Sequence, residues 1–549
     1  MVTALAMGVA PRSAQAGCNS GNVANTNLLN SPNCEAAATG GSATAVGESA
    51  TASGAGSAAY GAASEASGSG SSAYGFLSVA SGSDSSAYGE TSMATGALSS
   101  AYGFGSLASG LNSSAYGNGS QAIGESSFAG GFGSSASGAS SVAIGDAPQA
   151  TQLRAVAIGF TAQASGTNST VVGASGIASG AGSSAYGAFT TASATNANAL
   201  GGGGDGVTTF GARATNTNAT AVGFNSLASG ASSVAVGDSS TATGTNSTAV
   251  GASNTVNGNN SGAFGTGQTV NGNGSFAIGD PNLVNGNGTF VLGDGNTVNS
   301  GNTAGFGDNI QVVGSGNVIA ASASANGSSV FGSGNAVNAT NAFVLANNSA
   351  VGGAGAIAIG NSVMVTGDNA VAIGNGTSAN FSNSAAFGNG ATATRANQQV
   401  FGTGASTYTM AGIGSVASRA AQSGPTQIVT ADAGGNLATT TLGALGLATT
   451  SDIGAINAQL ASLQTQIDAN RVEARSGTAL ALAASSLHYD MRPGKLSVAA
   501  SYGNFKGLSG LAAGLGYAIN DRVRVNGAFT ASPNVNDYGA VVGASLTLN

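Results

Sequence analysis

Three aspartates, Asp280, Asp294 and Asp308, follow one another at 14-residue intervals. Stacked in one column, their carboxylates could hold a hard cation such as Ca²⁺, which takes oxygen ligands. As isolated acids beside glycines they would instead shape turns, since Asp bonds nearby backbone, and this second role is the expected one. Little else could do covalent chemistry. His488 is the only histidine, so a Ser-His-Asp site elsewhere in the chain is excluded. No residues show zinc-ligand spacing. The Gly- and Asn-rich run at 271–275 looks like a phosphate loop, but it opens no helix and no lysine follows. The chain is expected to be a non-enzyme, with no catalytic residue, cofactor or metal.

Cys18 and Cys34 are the only cysteines. They follow "MVTALAMGVAPRSAQA", whose Ala14-Gln15-Ala16 ending looks like a signal-peptidase site. Residues 1–16 are therefore read as part of a longer signal peptide and 17–44 as an N-terminal segment. Export would permit a Cys18–Cys34 disulfide, with free thiols as the alternative.

The elements that carry these residues come from composition and repetition. The 549 residues include 20 acidic and 12 basic side chains, a net charge of −8. Between residues 45 and 402 the only basic residues are Arg154, Arg213 and Arg395. No basic stripe exists to neutralise phosphates, so no nucleic-acid partner is expected. A hydrophobic content of 42%, arranged in a pattern, argues against disorder. The 92 glycines lack the three-residue period of collagen.

Their period is fourteen. The Gly closing each "AYG", "AIG" or "AVG" triplet falls at 47, 61, 75 and onward to 201, then from 223 to 307, then from 332 to 402 with Ala346 in place of one Gly, giving 25 units with two insertions. A bulky apolar residue precedes it, as at Tyr60, Tyr74, Tyr88, Tyr102 and Tyr116. Five residues after it sits Ala (Ala52, Ala66, Ala80) and later Val (Val256, Val270, Val284, Val298, Val312). Each unit splits into halves of about seven residues, a strand of four or five plus a tight turn. Two halves make one coil of a parallel β-solenoid whose equivalent residues stack in ladders. The Tyr ladder is then a repeated interior or interface position, and the head, residues 45–402, a rod on the order of 120 Å long at ~4.8 Å per coil. So thin a coil with such small residues buries little apolar area alone, which points to association with further copies.

After residues 403–450, a connector of open fold, the pattern changes. Ile453, Ile456, Leu460, Leu463, Ile467 and Asn470 are spaced 3, 4, 3, 4, 3, a heptad seam within a helical segment 451–489. Its mix of Ile and Leu disfavours a simple dimer. No run of ~18 apolar residues offers a spanning helix. Residues 490–549 hold four strand-like runs of about ten residues with one apolar face, the outer-membrane β-strand pattern. Leu496, Val498 and Tyr502 face lipid in the first run. Leu511, Leu515 and Tyr517 follow in the second, Val523, Val525 and Phe529 in the third, and Tyr538, Val542, Leu546 and Leu548 in the last. Four strands cannot close a barrel, whereas three chains supply twelve.

Units such as "SSVAIGDAPQATQ", "SSVAVGDSSTATG" and "NSTAVGASNTVNG", together with this C-terminus, resemble the YadA-like trimeric autotransporter adhesins. The resemblance implies a left-handed parallel β-roll head of 14-residue coils in three chains and a short trimeric coiled coil. It further implies a four-stranded contribution to a 12-stranded trimeric outer-membrane barrel with three helices in its pore. Type V secretion follows, with the head at the cell surface and the barrel-assembly machinery as a partner. Asn470 matches a family habit of Asn at such positions, where three amides surround an anion; a polar residue fixing register is the alternative. The 403–450 segment matches no neck motif of the family, and the chain ends in Asn549 where the family's last strand usually ends in an apolar residue. The implied function is attachment of the homotrimer to host matrix, host cells, abiotic surfaces or other bacteria. A non-adhesive or ice-binding surface β-solenoid is the alternative, and it would need an unbroken Thr ladder that this sequence lacks.

Overall fold

The computed structural model describes residues 36–549; the signal peptide and the Cys18–Cys34 pair lie outside the described residues. The chain divides into two compact units between Ser406 and Thr407.

The first unit is a stack of two-stranded coils. Ser72–Tyr74 and Val79–Ala80 form one coil. Each pairs in parallel with its equivalent one unit on, Ser72 with Ser86 and Tyr74 with Tyr88, and Val79 with Met93. The second strands of all coils make one 25-stranded sheet, and the first strands make the facing sheet. Strands of three and two residues are shorter than the four or five expected, because glycine turns take the remainder. Gly75 holds φ at +139°, where an L side chain is strained. At Gly82 an added Cβ would overlap the carbonyl of Gly96 in the next coil.

Ala73 and Ala80 point inward and are fully buried, as are Ser71 and Ser78. Several turn serines bond locally, as Ser92 Oγ donates to the Gly89 carbonyl at 2.9 Å, whereas the buried Ser71, Ser99 and Ser113 hydroxyls have no protein partner among the described residues. From residue 254 the filling changes. Val256, Val270 and Val284 replace the inward Ala, and Asn254, Gln268, Asn282, Asn296, Asn317 and Asn335 replace the turn serine, all buried. Their longer amides reach the next coil. Asn296 Nδ2 donates to the Gly314 carbonyl at 2.7 Å, while its Oδ1 accepts from the Asn317 backbone N–H at 3.0 Å. The same two bonds run from Asn254 to Gly265 and Gln268, and from Asn335 to Ala346 and Ser349. No buried polar atom in this file is left orphaned, which holds six coils in one register.

One boundary differs from the sequence expectation. The spacing places a coil marker at Gly307, but Gln311–Val313 pairs with Phe290–Leu292, so the marker is Gly314. Val312 therefore stacks between Val291 and Val330 in the first-strand sheet, and Ile319 takes the place beside Val298. The inserted loop is half a unit long, which preserves the look of the repeat while reversing which strand is which.

The second unit contains a short helix, Val416–Ala420, and a hairpin of Ile428–Ala431 with Leu437–Thr440. The long helix Thr450–Ser485 starts on a capping box in which Thr449 and Asp452 bond each other's backbone N–H. Four antiparallel strands follow in sequence order, Leu496–Phe505, Leu508–Ala518, Val523–Ala531 and Tyr538–Leu546. The helix buries Ser476, Ala479, Leu480 and Ala483 against them. Glycine permits that approach: a Cβ on Gly503 would lie 2.7 Å from both the Ala479 carbonyl and the Ala483 nitrogen. No described helix is long and apolar enough to cross a membrane.

Candidate functional site

The tyrosine ladder lies outside the coil, and the interior half of the sequence expectation fails. Strand alternation sends Ala73 and Ala87 inward, so Tyr74 and Tyr88 must point out. Five rings, Tyr60 to Tyr116, stack with centroids 4.8, 4.6, 4.7 and 4.9 Å apart and planes within 8°. Burial among neighbouring rings raises the Tyr74, Tyr88 and Tyr102 hydroxyl pKa values above the usual tyrosine value, and the adjacent hydroxyls push the same way. The rings from Tyr60 to Tyr102 are half-buried, and Ile144, Val172, Tyr186 and Leu200 continue the file as exposed residues. One copy of the chain thus leaves an apolar ladder along this face uncovered.

The acids do not form one column. The Asp280 carboxylate accepts the Thr266 N–H of the preceding coil, and Asp294 accepts the Asp280 N–H at 2.8 Å. Asp308, displaced by the half-unit insertion, sits in the opposite turn and takes the Asn287 N–H at 2.7 Å. Each acid caps a backbone donor, and among the described residues no three metal-capable side chains cluster.

In the second unit the seam residues Ile453, Ile456, Leu460, Leu463 and Ile467 are 45–64% exposed. Asn470 is exposed at the end of the same series. Past it the helix narrows to Ala479 and Ala483, the part that touches the sheet. The sheet's two faces differ sharply. Ala512, Gly514, Gly516 and Ala518 are buried beneath the helix side, while Leu511, Leu515 and Tyr517 alternate with them outward. Leu496, Val498, Tyr502, Val525, Phe529, Tyr538, Val542, Leu546 and Leu548 share the outward exposure, and Val523 is half-buried. An outward apolar face over an inward face of Gly and Ala suits lipid on one side and a close-packed helix on the other.

Two features escaped the sequence reading. The buried amides look like turn-formers in sequence, and only their register reveals a ladder. From Phe76 to Phe160 an exposed phenylalanine occupies every second coil, a 28-residue spacing hidden beneath the 14-residue one.

Known proteins show the same parts. A family model described as the YadA-like membrane anchor domain matches residues 489–548. One described as the YadA head domain repeat matches 73–99, 122–147, 150–175, 214–240, 242–267 and 366–394. The autotransporter adhesin BtaF of Brucella suis is 44% identical over 97 residues, 17% of this chain and 34% of that protein. BtaE of the same organism is 40% identical over 87 residues, 16% of this chain and 12% of that protein. The match thus spans about a third or less of either relative. The crystal structure of the collagen-binding domain of the Yersinia adhesin YadA aligns at 19% identity and a TM-score of 0.16, over 34% of this chain and 73% of that one.

Proposed function

We propose that this chain, which carries the head repeats and the membrane anchor of the YadA-like trimeric autotransporter adhesins, is one of three identical subunits of a bacterial surface adhesin. The anchor sits in the outer membrane and presents the head at the cell surface. The observation that carries this reading is the four-stranded sheet with an apolar outer face and a helix-bearing inner face. Such a sheet has two open edges, and only closure removes edges in lipid. Three copies give twelve strands, an even number within the outer-membrane range, with three small-residue helix segments inside.

The other unit and the helix support the same count. The Ile and Leu seam is exposed and the outward Tyr ladder only half-buried in one chain, and each becomes buried by threefold association. Asn470 would then meet two other amides on the axis, where it fixes register or holds an anion. Insertion through the barrel-assembly machinery and secretion of the head through the nascent pore complete the route. The head's function is attachment, to host matrix, host cells, abiotic surfaces or other bacteria. A long face of weak contacts in three copies gains affinity by multivalency.

Expression of the full chain in a non-adherent bacterium tests this. The expected result is a heat-sensitive oligomer in the outer-membrane fraction and gained attachment to collagen-coated or bare surfaces. Recovery as a folded soluble monomer overturns it.

A further inference from the structure

A second aromatic file runs along residues 76–160 of the head, on the turn just after the marker glycine. Phe76, Phe104, Phe132 and Phe160 occupy it at 28-residue intervals, with 50%, 53%, 62% and 56% of their surface exposed. The coils between them carry Glu90, Asn118 and Asp146 at the same position, all exposed. Backbone bonds fix this register: the Gly105 N–H donates to the Glu90 carbonyl at 2.9 Å and the Gly119 N–H to the Phe104 carbonyl at 2.8 Å. The next two coils repeat it, from Gly133 to Asn118 and from Ala147 to Phe132. The rings therefore recur at two strand spacings, ~9.6 Å, with an acceptor side chain midway. Among the described residues the backbone N–H groups of this file donate to no other residue. At the equivalent turn farther along, the Asp280 N–H is capped by Asp294.

We propose that this edge binds a neutral, extended β-1,4-linked glycan. The proposal deepens the reading of the head as an attachment surface and rests on it. A pyranose presents an apolar C–H face that lies flat on an aromatic ring, whose face is electron-rich. An extended β-1,4-linked chain shows the same face once per disaccharide, close to the spacing of alternate coils. Its hydroxyls donate to Glu90, Asn118 and Asp146 and accept from the free backbone N–H groups. Charge selects a neutral glycan, because Glu90 and Asp146 repel a polyanion and the only basic residue in these coils is Arg154. An extended peptide returns a side chain to one face every ~6.8 Å and falls out of step with the rings. A polyproline helix has a suitable ~9.3 Å turn, but proline has no N–H to give the carboxylates.

The full chain displayed on cells tests this with cellulose and chitin particles, with hyaluronan and a polyproline peptide as competitors. Retention on at least one neutral glycan is expected. The Phe104→Ala/Phe132→Ala double variant should lower it roughly tenfold or more, and Phe→Tyr at both positions should retain it. Leu98→Ala/Leu111→Ala, on the opposite turn, should change nothing. The inference is overturned by no retention on either particle, by equal loss in the leucine control, or by stronger competition from hyaluronan or the peptide. It is also overturned if the phenylalanine variant dissociates the unheated oligomer, which would place the file between copies. Cells that attach to collagen or bare surfaces while ignoring both glycans refute this inference alone. Cells that attach to nothing refute the adhesin reading as well.

Discussion

The rings of Tyr74 and Tyr88 lie 4.6 Å apart and within 5° of parallel, although 14 residues separate them in the chain. Each inner ring of the file has such a neighbour on both sides. Replacing Tyr88 by Ala removes two stacked contacts, about 1–3 kcal/mol beyond the lost area. Urea unfolding of the displayed head should show that loss, with Tyr88→Phe nearly silent. Equal effects of Ala and Phe would mean that the hydroxyl, and not the stack, matters.

Alkaline pH should loosen the same file. The Tyr74, Tyr88 and Tyr102 pKa values are raised, chiefly by burial, so the folded head holds these protons more tightly than the unfolded chain. Stability is then fully present below the unfolded value of ~10 and falls as pH rises through the higher folded values. Melting temperature measured from pH 8 to 11 should drop above about pH 10. The Tyr74→Phe/Tyr88→Phe/Tyr102→Phe variant should flatten the drop, and an unchanged slope would count against this cause.

Asn296 bridges to Gly314 and Asn317 from a buried position. Asn296→Ala leaves the buried Asn317 N–H, at ~1–3 kcal/mol, and the part-buried Gly314 carbonyl, at less, without those partners. Ser92→Ala removes one local bond and should cost only about 1 kcal/mol. Hydrogen exchange should report faster opening of coils 282–335 in the first variant alone.

A Cβ on Gly510 would lie 2.5 Å from the Ala479 carbonyl. Gly510→Val should therefore prevent the helix from seating on the sheet, at a cost of about 3 kcal/mol or more. The heat-sensitive outer-membrane species should disappear, while Leu511→Ile, facing outward, should preserve it.

Leu460 is 64% exposed on one chain. Leu460→Asp would place three like charges together in a threefold seam, and the unheated oligomer should weaken clearly. Thr449→Ala removes only the cap and should cost ~1 kcal/mol without altering oligomer size. If both variants behaved alike, the seam would not be a contact between copies.

Much of this architecture is legible in the sequence because glycine has so few substitutes. At Gly75 and Gly82 the turn and the next coil exclude a side chain, so the repeat survives as letters. The anchor strands read equally well, since the two-residue alternation of Leu511 to Tyr517 maps directly onto two faces. The half-unit insertion before Gly314 does not read, because its Asn and Gly residues suit either turn. Nor does the amide file: an Asn beside a Gly looks the same whether it closes its own turn or reaches the next coil. The phenylalanine file hides for a different reason, since only counting coils in pairs separates Phe104 from Glu90.

The amide file has a direction. Asn254, Asn296 and Asn335 each donate to a carbonyl and accept a backbone N–H of the coil that follows in sequence, while Asn296 and Asn335 also donate to the amide of the coil before. Both tips of such a stack therefore carry unmet groups, an amide at one and a backbone N–H at the other. Each coil is template and lid for its neighbours at once, so the file is sealed only where both flanking coils are in place. A lone amide coil is an unfinished object in either direction.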